Sequence, residues 1–144
     1  MIVAVLDTNT IVSGMLAPQG IPKRLLDSAW AGQFTLCAST IILNEVFTTL
    51  SRDRITRKYR LSETDLQRLR DLLEHETIST PVTVEVHGVA NHPEDDLVLA
   101  TAVSAQADYL VTGDSQLQKL AAYQGVTIVS PREFLDVLVR EQAH

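Results

Sequence analysis

Asp7, Glu45, Asp95, Asp96 and Asp114 are the residues whose types and spacing bear chemistry. Carboxylate oxygens suit hard divalent cations, and Mg²⁺ commonly takes one or two carboxylates with waters and phosphate oxygens. Without a cation, converging acids repel. Two unit charges about 4 Å apart cost roughly 4 kcal/mol at an effective dielectric near 20. Such a group holds protons near neutral pH or holds a metal. A bound ion activates water, and the same or a second ion clamps the leaving oxygen of a phosphodiester. Each acid also has a plainer use: Asp7 caps a turn, Asp95 and Asp114 cap helices, and Glu45 lies on a solvated helix face. Four placements at one sheet edge favour the shared use over four separate ones.

Other chemistries fit less well. No Gly-x-Gly-x-x-Gly follows the first apolar run and no Walker sequence occurs, so nucleotide binding lacks its usual loop. Cys37 has no neighbouring base. His75, His87, His92 and His144 lack metal-ligand spacing and read as surface or loop residues. An aspartyl-phosphate enzyme would use Asp7 as nucleophile, but Asn9 stands where many such enzymes carry a second acid.

The elements that position these acids follow from the apolar pattern. Ile2-Val3-Ala4-Val5-Leu6 is a short continuous apolar run, as expected for a strand buried on both faces of a parallel sheet. Its carboxyl end is where an open α/β sheet places its crevice, which sets Asp7 at the mouth. Asn9 to Gly20 reads as a short apolar turn and loop, punctuated by Gly14, Pro18 and Gly20. Pro22 starts a helix ended by Gly32, and residues 34–38 form a second strand. Ser39 caps a helix from Thr40 to about Arg52, with Glu45 at the edge of its apolar stripe. Residues 53–61 are polar and basic. Ser62 caps the next helix, stapled by Leu61 and Leu66. Val82 to Val86 alternates as a third strand. Asp95 and Asp96 open a helix before a fourth strand, Tyr109 to Thr112, which ends at Gly113-Asp114. A helix from Ser115 to Tyr123, closed by Gly125, precedes a fifth strand, Val126 to Val129. Ser130 and Glu133 form a capping box for the last helix, with Pro131 at its start. Strands alternating with helices indicate a parallel α/β sheet.

The 144 residues suit one domain, 1–144, with 45% hydrophobic and 21% charged residues. No apolar run approaches the length of a membrane span, so no membrane association is expected. The N-terminus lacks a charged region before Ile2 and does not read as a signal peptide. A lone cysteine points to a reducing, cytoplasmic setting. The formal charge of −6 argues against a nucleic-acid binder when taken alone. Its distribution argues otherwise. Of 12 basic residues, Arg52, Arg54, Arg57, Lys58, Arg60, Arg68 and Arg70 fall in one stretch. Arg52, Arg54, Arg57, Lys58 and Arg60 are therefore candidates to steer a nucleic-acid backbone, against the plainer reading of a solvated face.

Asp7-Thr8-Asn9-Thr10-Ile11-Val12-Ser13 resembles the opening motif of the PIN-domain nucleases. Ser39 through Glu45-Val46, Pro93-Glu94-Asp95 and Tyr109 to Asp114 resemble the later motifs, in the same order. The nearest likeness is to the toxin components of bacterial toxin–antitoxin pairs, and it spans nearly the whole chain. The resemblance implies a three-layer α/β sandwich with strand order 3-2-1-4-5, and Mg²⁺- or Mn²⁺-dependent cleavage of RNA. It implies that Asp7, Glu45, Asp95 and Asp114 are the acidic, metal-binding set, with Asn9, Ser13 and Thr112 in support. It further implies a homodimer or higher homo-oligomer and a small antitoxin protein as partner. The rival is a non-catalytic module of the same fold that binds RNA or a protein. Two departures stand out. Asp96 occupies a position where relatives often have Asn, and Gln116 one where close relatives often have another acid. Helical register separates the adjacent acids. Asp95 lies in line with Leu99, Ala102 and Val103, which assigns it the metal, and Asp96 then serves the helix N-terminus.

Overall fold

The computed structural model describes residues 1–142; His144 lies outside the described residues. Val3–Leu6 forms β1, in which Ala4, Val5 and Leu6 are fully buried. It lies between two parallel neighbours, β2 (Thr35–Ala38) and β4 (Tyr109–Val111). β6 (Val126–Val129) pairs parallel to β4, and β3 (Ile78–Ser79) parallel to β2. The order is β3-β2-β1-β4-β6-β5, with the two-residue β5 (Ala122–Tyr123) antiparallel to β6. The five parallel strands thus run in the expected order 3-2-1-4-5, with β6 as the fifth, and one short strand is added at the edge.

Three elements differ from the sequence expectation. Asn9 to Gly20 is not a loop: Thr8–Leu16 forms helix α1, capped by the Asp7 side chain on Thr10 N–H. Gly14, a helix breaker by propensity, sits there because α1 is pressed against α2 (Ile21–Trp30). A Cβ at Gly14 would stand 2.7 Å from Leu26 Cδ1 and 2.8 Å from the Pro22 carbonyl oxygen. The third strand lies at Ile78–Ser79, not Val82–Val86. Ala38 accepts a further bond from Thr80 N–H, and Pro81 has no N–H to continue the ladder. The helix expected from Ser115 to Tyr123 stops early, as α7 (Ser115–Lys119), and its remainder becomes β5. Gln124 and Gly125, with φ of 46° and 86°, make the two-residue turn into β6, and such turns require positive φ at both positions.

The remaining helices follow their caps. α3 (Thr40–Leu50) starts at Ser39, which accepts from Ile42 N–H. The basic stretch holds a short helix, α4 (Asp53–Lys58). α5 (Glu63–Glu76) opens with a capping box between Ser62 and Asp65. α6 (Pro93–Ser104) packs on β1 and β4, and α8 (Pro131–Gln142) on β4, β6 and α2. Phe134 of α8 is fully buried, edge-on to Phe34 with centroids 5.1 Å apart. No helix among the described residues is long and apolar enough to cross a membrane.

Candidate active site

Asp7, Glu45, Asp95 and Asp114 line adjoining hollows where β1 and β4 end. β1 delivers Asp7, whose N–H bonds to Val111 O at 3.0 Å and so extends the β1–β4 ladder by one residue. Both Asp7 oxygens are engaged: Oδ1 accepts from Thr10 N–H at 2.9 Å and Oδ2 from the Thr112 hydroxyl at 2.6 Å. Thr112 is fully buried. Its oxygen also accepts from Asp114 N–H at 3.1 Å, so one hydroxyl ties the end of β1 to the turn after β4. Asp114 caps α7 through Oδ1, which accepts from the N–H groups of Gln116 and Leu117. The plainer capping role is therefore real, and it uses only one of the two oxygens. Gln116 contributes its backbone to that cap and its side chain is exposed.

Glu45 reaches the site from the middle of α3. Its Oε2 accepts from Thr8 Oγ1 at 2.9 Å. Thr8 was not singled out by its sequence; its only signal is its place beside Asp7. The packing of α1 against α3 brings the pair together.

Two hollows adjoin along Asp7, Asn9 and Asp95. One, about 220 Å³, is lined also by Thr8, Glu45, Arg52 and Glu94. The other, about 470 Å³, is lined also by Ser13, Gly113 and Asp114. Asn9 and Ser13 are exposed at this rim. Glu94 is a further acid, within a quoted motif but given no role by it. Its position beside Asp95 at the start of α6 was the available signal.

Asp95 differs from the other acids. It is half-buried and makes no side-chain hydrogen bond among the described residues, and His92, not Asp95, is the N-cap of α6. Burial foremost, then the Asp114 carboxylate, push its carboxyl above the ordinary value of 3.8; Asp7 and Glu94 add to this and His92 opposes it. A carboxyl raised in the folded state destabilises that state once ionised. Its contribution is fully present below the unfolded pKa and is lost as pH rises through the folded one. Metal-free Asp95→Asn should therefore melt above the wild type at neutral pH, with the gap closing on acidification through the carboxylate range. A gap that persists below that range would show that charge repulsion is not the cause.

Asp96 does something the register argument did not anticipate. It lies in the first turn of α6 and is buried. Its carboxylate accepts from Gly88, Val89 and Ala90 N–H at 3.0, 3.2 and 2.7 Å. Asp96 thus clasps the preceding loop in addition to lying at the positive end of the α6 dipole.

The donor set fits an oxygen-preferring divalent cation. Among the described residues no three His, Cys, Asp or Glu side chains converge closely enough to hold an ion alone. Mg²⁺ does not need such a cage, because it usually keeps several waters and takes one or two carboxylates. Asp95, with no side-chain hydrogen bond among the described residues and raised first by burial and then by Asp114, has the character of such a ligand. Cys37 is buried in β2, and burial pushes its thiol up, which disfavours the reactive thiolate.

Of the basic candidates, Arg52 lines the smaller hollow. Arg54, Arg57 and Lys58 are exposed on α4, and Arg60 is exposed just beyond it. Arg70 lies over the Phe47 ring, 4.3 Å from its centroid.

Comparison with solved structures finds the same fold. The crystal structure of VapBC2 from Rickettsia felis bound to a DNA fragment from their promoter matches at 16% identity and a TM-score of 0.63, covering 90% of this chain and 98% of that one. The crystal structure of FitAcB from Neisseria gonorrhoeae matches at 20% identity and a TM-score of 0.55, with the same two coverages of 90% and 98%. No curated protein matches the sequence. The PIN domain family profile matches residues 3–116. That match runs from the start of β1 to the first turn of α7 and takes in each strand end and helix that brings an acid to the cleft, so the chain belongs to the PIN-domain family.

Proposed function

We propose that this protein is a metal-dependent ribonuclease and the toxin of a toxin–antitoxin pair. The observation that carries the reading is Asp95: a half-buried carboxylate with no side-chain hydrogen bond among the described residues, lining both hollows beside Asp7 at the mouth of a parallel sheet. In this reading one or two of Asp7, Glu45, Asp95 and Asp114 hold Mg²⁺ or Mn²⁺ directly and the others act through its waters. When bound, the ion polarises a phosphate and makes water nucleophilic near neutral pH. The chain supplies rigidity. Thr112 and Thr10 fix Asp7, Thr8 fixes Glu45, and the α7 cap fixes Asp114 while leaving Oδ2 free. Asn9 and Ser13 offer hydrogen bonds at the rim. The motif resemblance extends this reading to a small antitoxin as partner and to a homo-oligomer, and VapBC2, solved bound to a DNA fragment from their promoter, shares the fold.

Incubation of the purified protein with a mixed RNA pool tests this. Cleavage should appear with Mn²⁺ and vanish with EDTA. RNA that is bound but never cut in Mn²⁺ would make the protein a non-catalytic module. The melting temperature should also rise with Mn²⁺, since binding at 100 times the dissociation constant adds about 2.7 kcal/mol. An unmoved melt in millimolar Mn²⁺ would mean the acids hold no ion.

The exposed cations of α4 bring the strand to the site. For single strands, log affinity falls with log salt by roughly 0.7 per phosphate neutralised. Arg57→Ala with Lys58→Ala should flatten this slope and leave Mn²⁺ affinity alone. An unchanged slope would return α4 to the role of a solvated face.

A further inference from the structure

Arg52 stands apart from the other basic residues. Among the described residues it is the only Lys, Arg or His lining either hollow, and it shares its hollow with Asp7, Glu45, Glu94 and Asp95. Its backbone is pinned at the α3–α4 junction. Its N–H donates to Thr49 O at 3.2 Å, and its carbonyl accepts from Ile55 and Thr56 N–H at 2.9 Å each. The side chain is nevertheless uncommitted. The ion pairs among the described residues are Lys23 with Asp27 and Glu85 with His87, and Arg52 is in neither. An arginine placed to neutralise the acids would pair with one of them, since a guanidinium matches a carboxylate with two parallel bonds. A guanidinium left open beside four carboxylates is set for an anion from outside the chain, and its planar fork fits a phosphate equally well.

The placement is also one-sided. The larger hollow, on the Asp114 side, has no cationic side chain among the described residues. A polyanion crossing the shared ridge of Asp7 and Asp95 meets a guanidinium on the α3 side and only acids and neutral groups on the other. We propose that Arg52 binds the phosphate next to the scissile one, on one side of the cut only, and so sets the direction in which the strand lies across the site. The inference rests on the ribonuclease reading and adds to it a specific contact and a polarity.

A charge-deletion cycle tests it. Single-stranded RNA oligonucleotides carry one uncharged methylphosphonate at successive positions around the site where Mn²⁺ supports cleavage. Binding is read by fluorescence anisotropy with Ca²⁺ in place of Mn²⁺. In the wild type one position, on one side of the cut, should cost about tenfold in affinity, as expected for a charge-assisted contact. In Arg52→Ala the unmodified strand should lose the same factor, and the methylphosphonate should then cost nothing further. The salt slope should flatten by about 0.7, and Arg52→Lys should recover part of the loss. Independent losses in variant and substrate would overturn the proposal, as would equal losses on both sides of the cut. So would an Arg52→Gln variant that gains Mn²⁺ affinity at unchanged RNA affinity, since Arg52 would then be a counter-ion for Glu45 and Glu94. A wild type that binds and cuts while the cycle fails removes the Arg52 assignment alone. A wild type that neither binds nor cuts RNA removes the ribonuclease reading together with it.

Discussion

Asp95→Asn should reduce metal-dependent RNA cleavage by a factor on the order of 10²–10³, the scale seen when one preorganised electrostatic group is removed from an active site. Its far-UV circular dichroism should not change. The substitution is close to isosteric and no hydrogen bond depends on the lost charge, since the Asp95 side chain makes none among the described residues. Asp7→Asn should cost as much activity but be less silent structurally. An amide still caps α1, because Asn is as good an N-cap as Asp. The amide has only one oxygen, however, and Asp7 uses two, one for Thr10 N–H and one for the Thr112 hydroxyl. Thr112 already accepts from Asp114 N–H, so the NH₂ group of the substituted side chain, facing it, would leave the hydroxyl proton without its acceptor. Asp96→Asn should retain most of the activity of whatever remains folded. Cleavage rates measured side by side decide the matter. Loss with Asp96→Asn and retention with Asp95→Asn would reverse the assignment, and equal loss would indicate a bridging role.

The largest effect on stability should come from Asp96→Ala. A helix-dipole role alone would be worth a few tenths to about 1 kcal/mol. The buried carboxylate instead satisfies three consecutive N–H groups. Hydrogen bonds to a charged group contribute about 1.5–3 kcal/mol each. Gly88 and Val89 are exposed, so the freed N–H groups would partly turn to water and soften the total. We expect a loss of about 2–4 kcal/mol in urea unfolding, with faster amide exchange at residues 88–90. Asp96→Asn should lose less, because one acceptor oxygen remains. A change of only a few tenths, with exchange at 88–90 unaltered, would show that the clasp contributes nothing.

Local rules read the sequence well where the local signal and the tertiary structure agree. The continuous apolar run of β1 and the capping residues Ser39, Ser62 and Ser130 all lie where the pattern places them. The failures come where packing overrides propensity. Gly14 reads as a breaker, yet a side chain there would strike Leu26 and the Pro22 carbonyl, so the helix tolerates the glycine for the sake of α2. Val82, Val84 and Val86 alternate as a strand would, and Val86 is buried. The neighbour of β2 is nevertheless Ile78–Ser79, and pairing partners are not written in an alternation. At the site, the strand-end and helix-start acids were visible by position. The Thr8–Glu45 bond was not, because it joins residues 37 apart. Nor was the hold of Asp96 on the loop, since an acid in the first turn of a helix already has a sufficient local explanation.

The two edges of the sheet have a consequence for the protein's behaviour in concentrated solution. The outermost strands, β3 and β5, are two residues each. Open strand edges are the usual template on which chains add to one another as growing β-structure, and very short edges are one of the ways natural proteins blunt it. Pro81 closes the β3 side further, since a residue without an N–H cannot extend the ladder. Self-association through continued β-pairing is thereby disfavoured. A second copy of the chain would have to be met by helical surfaces, which saturate at a defined stoichiometry where an open edge would not.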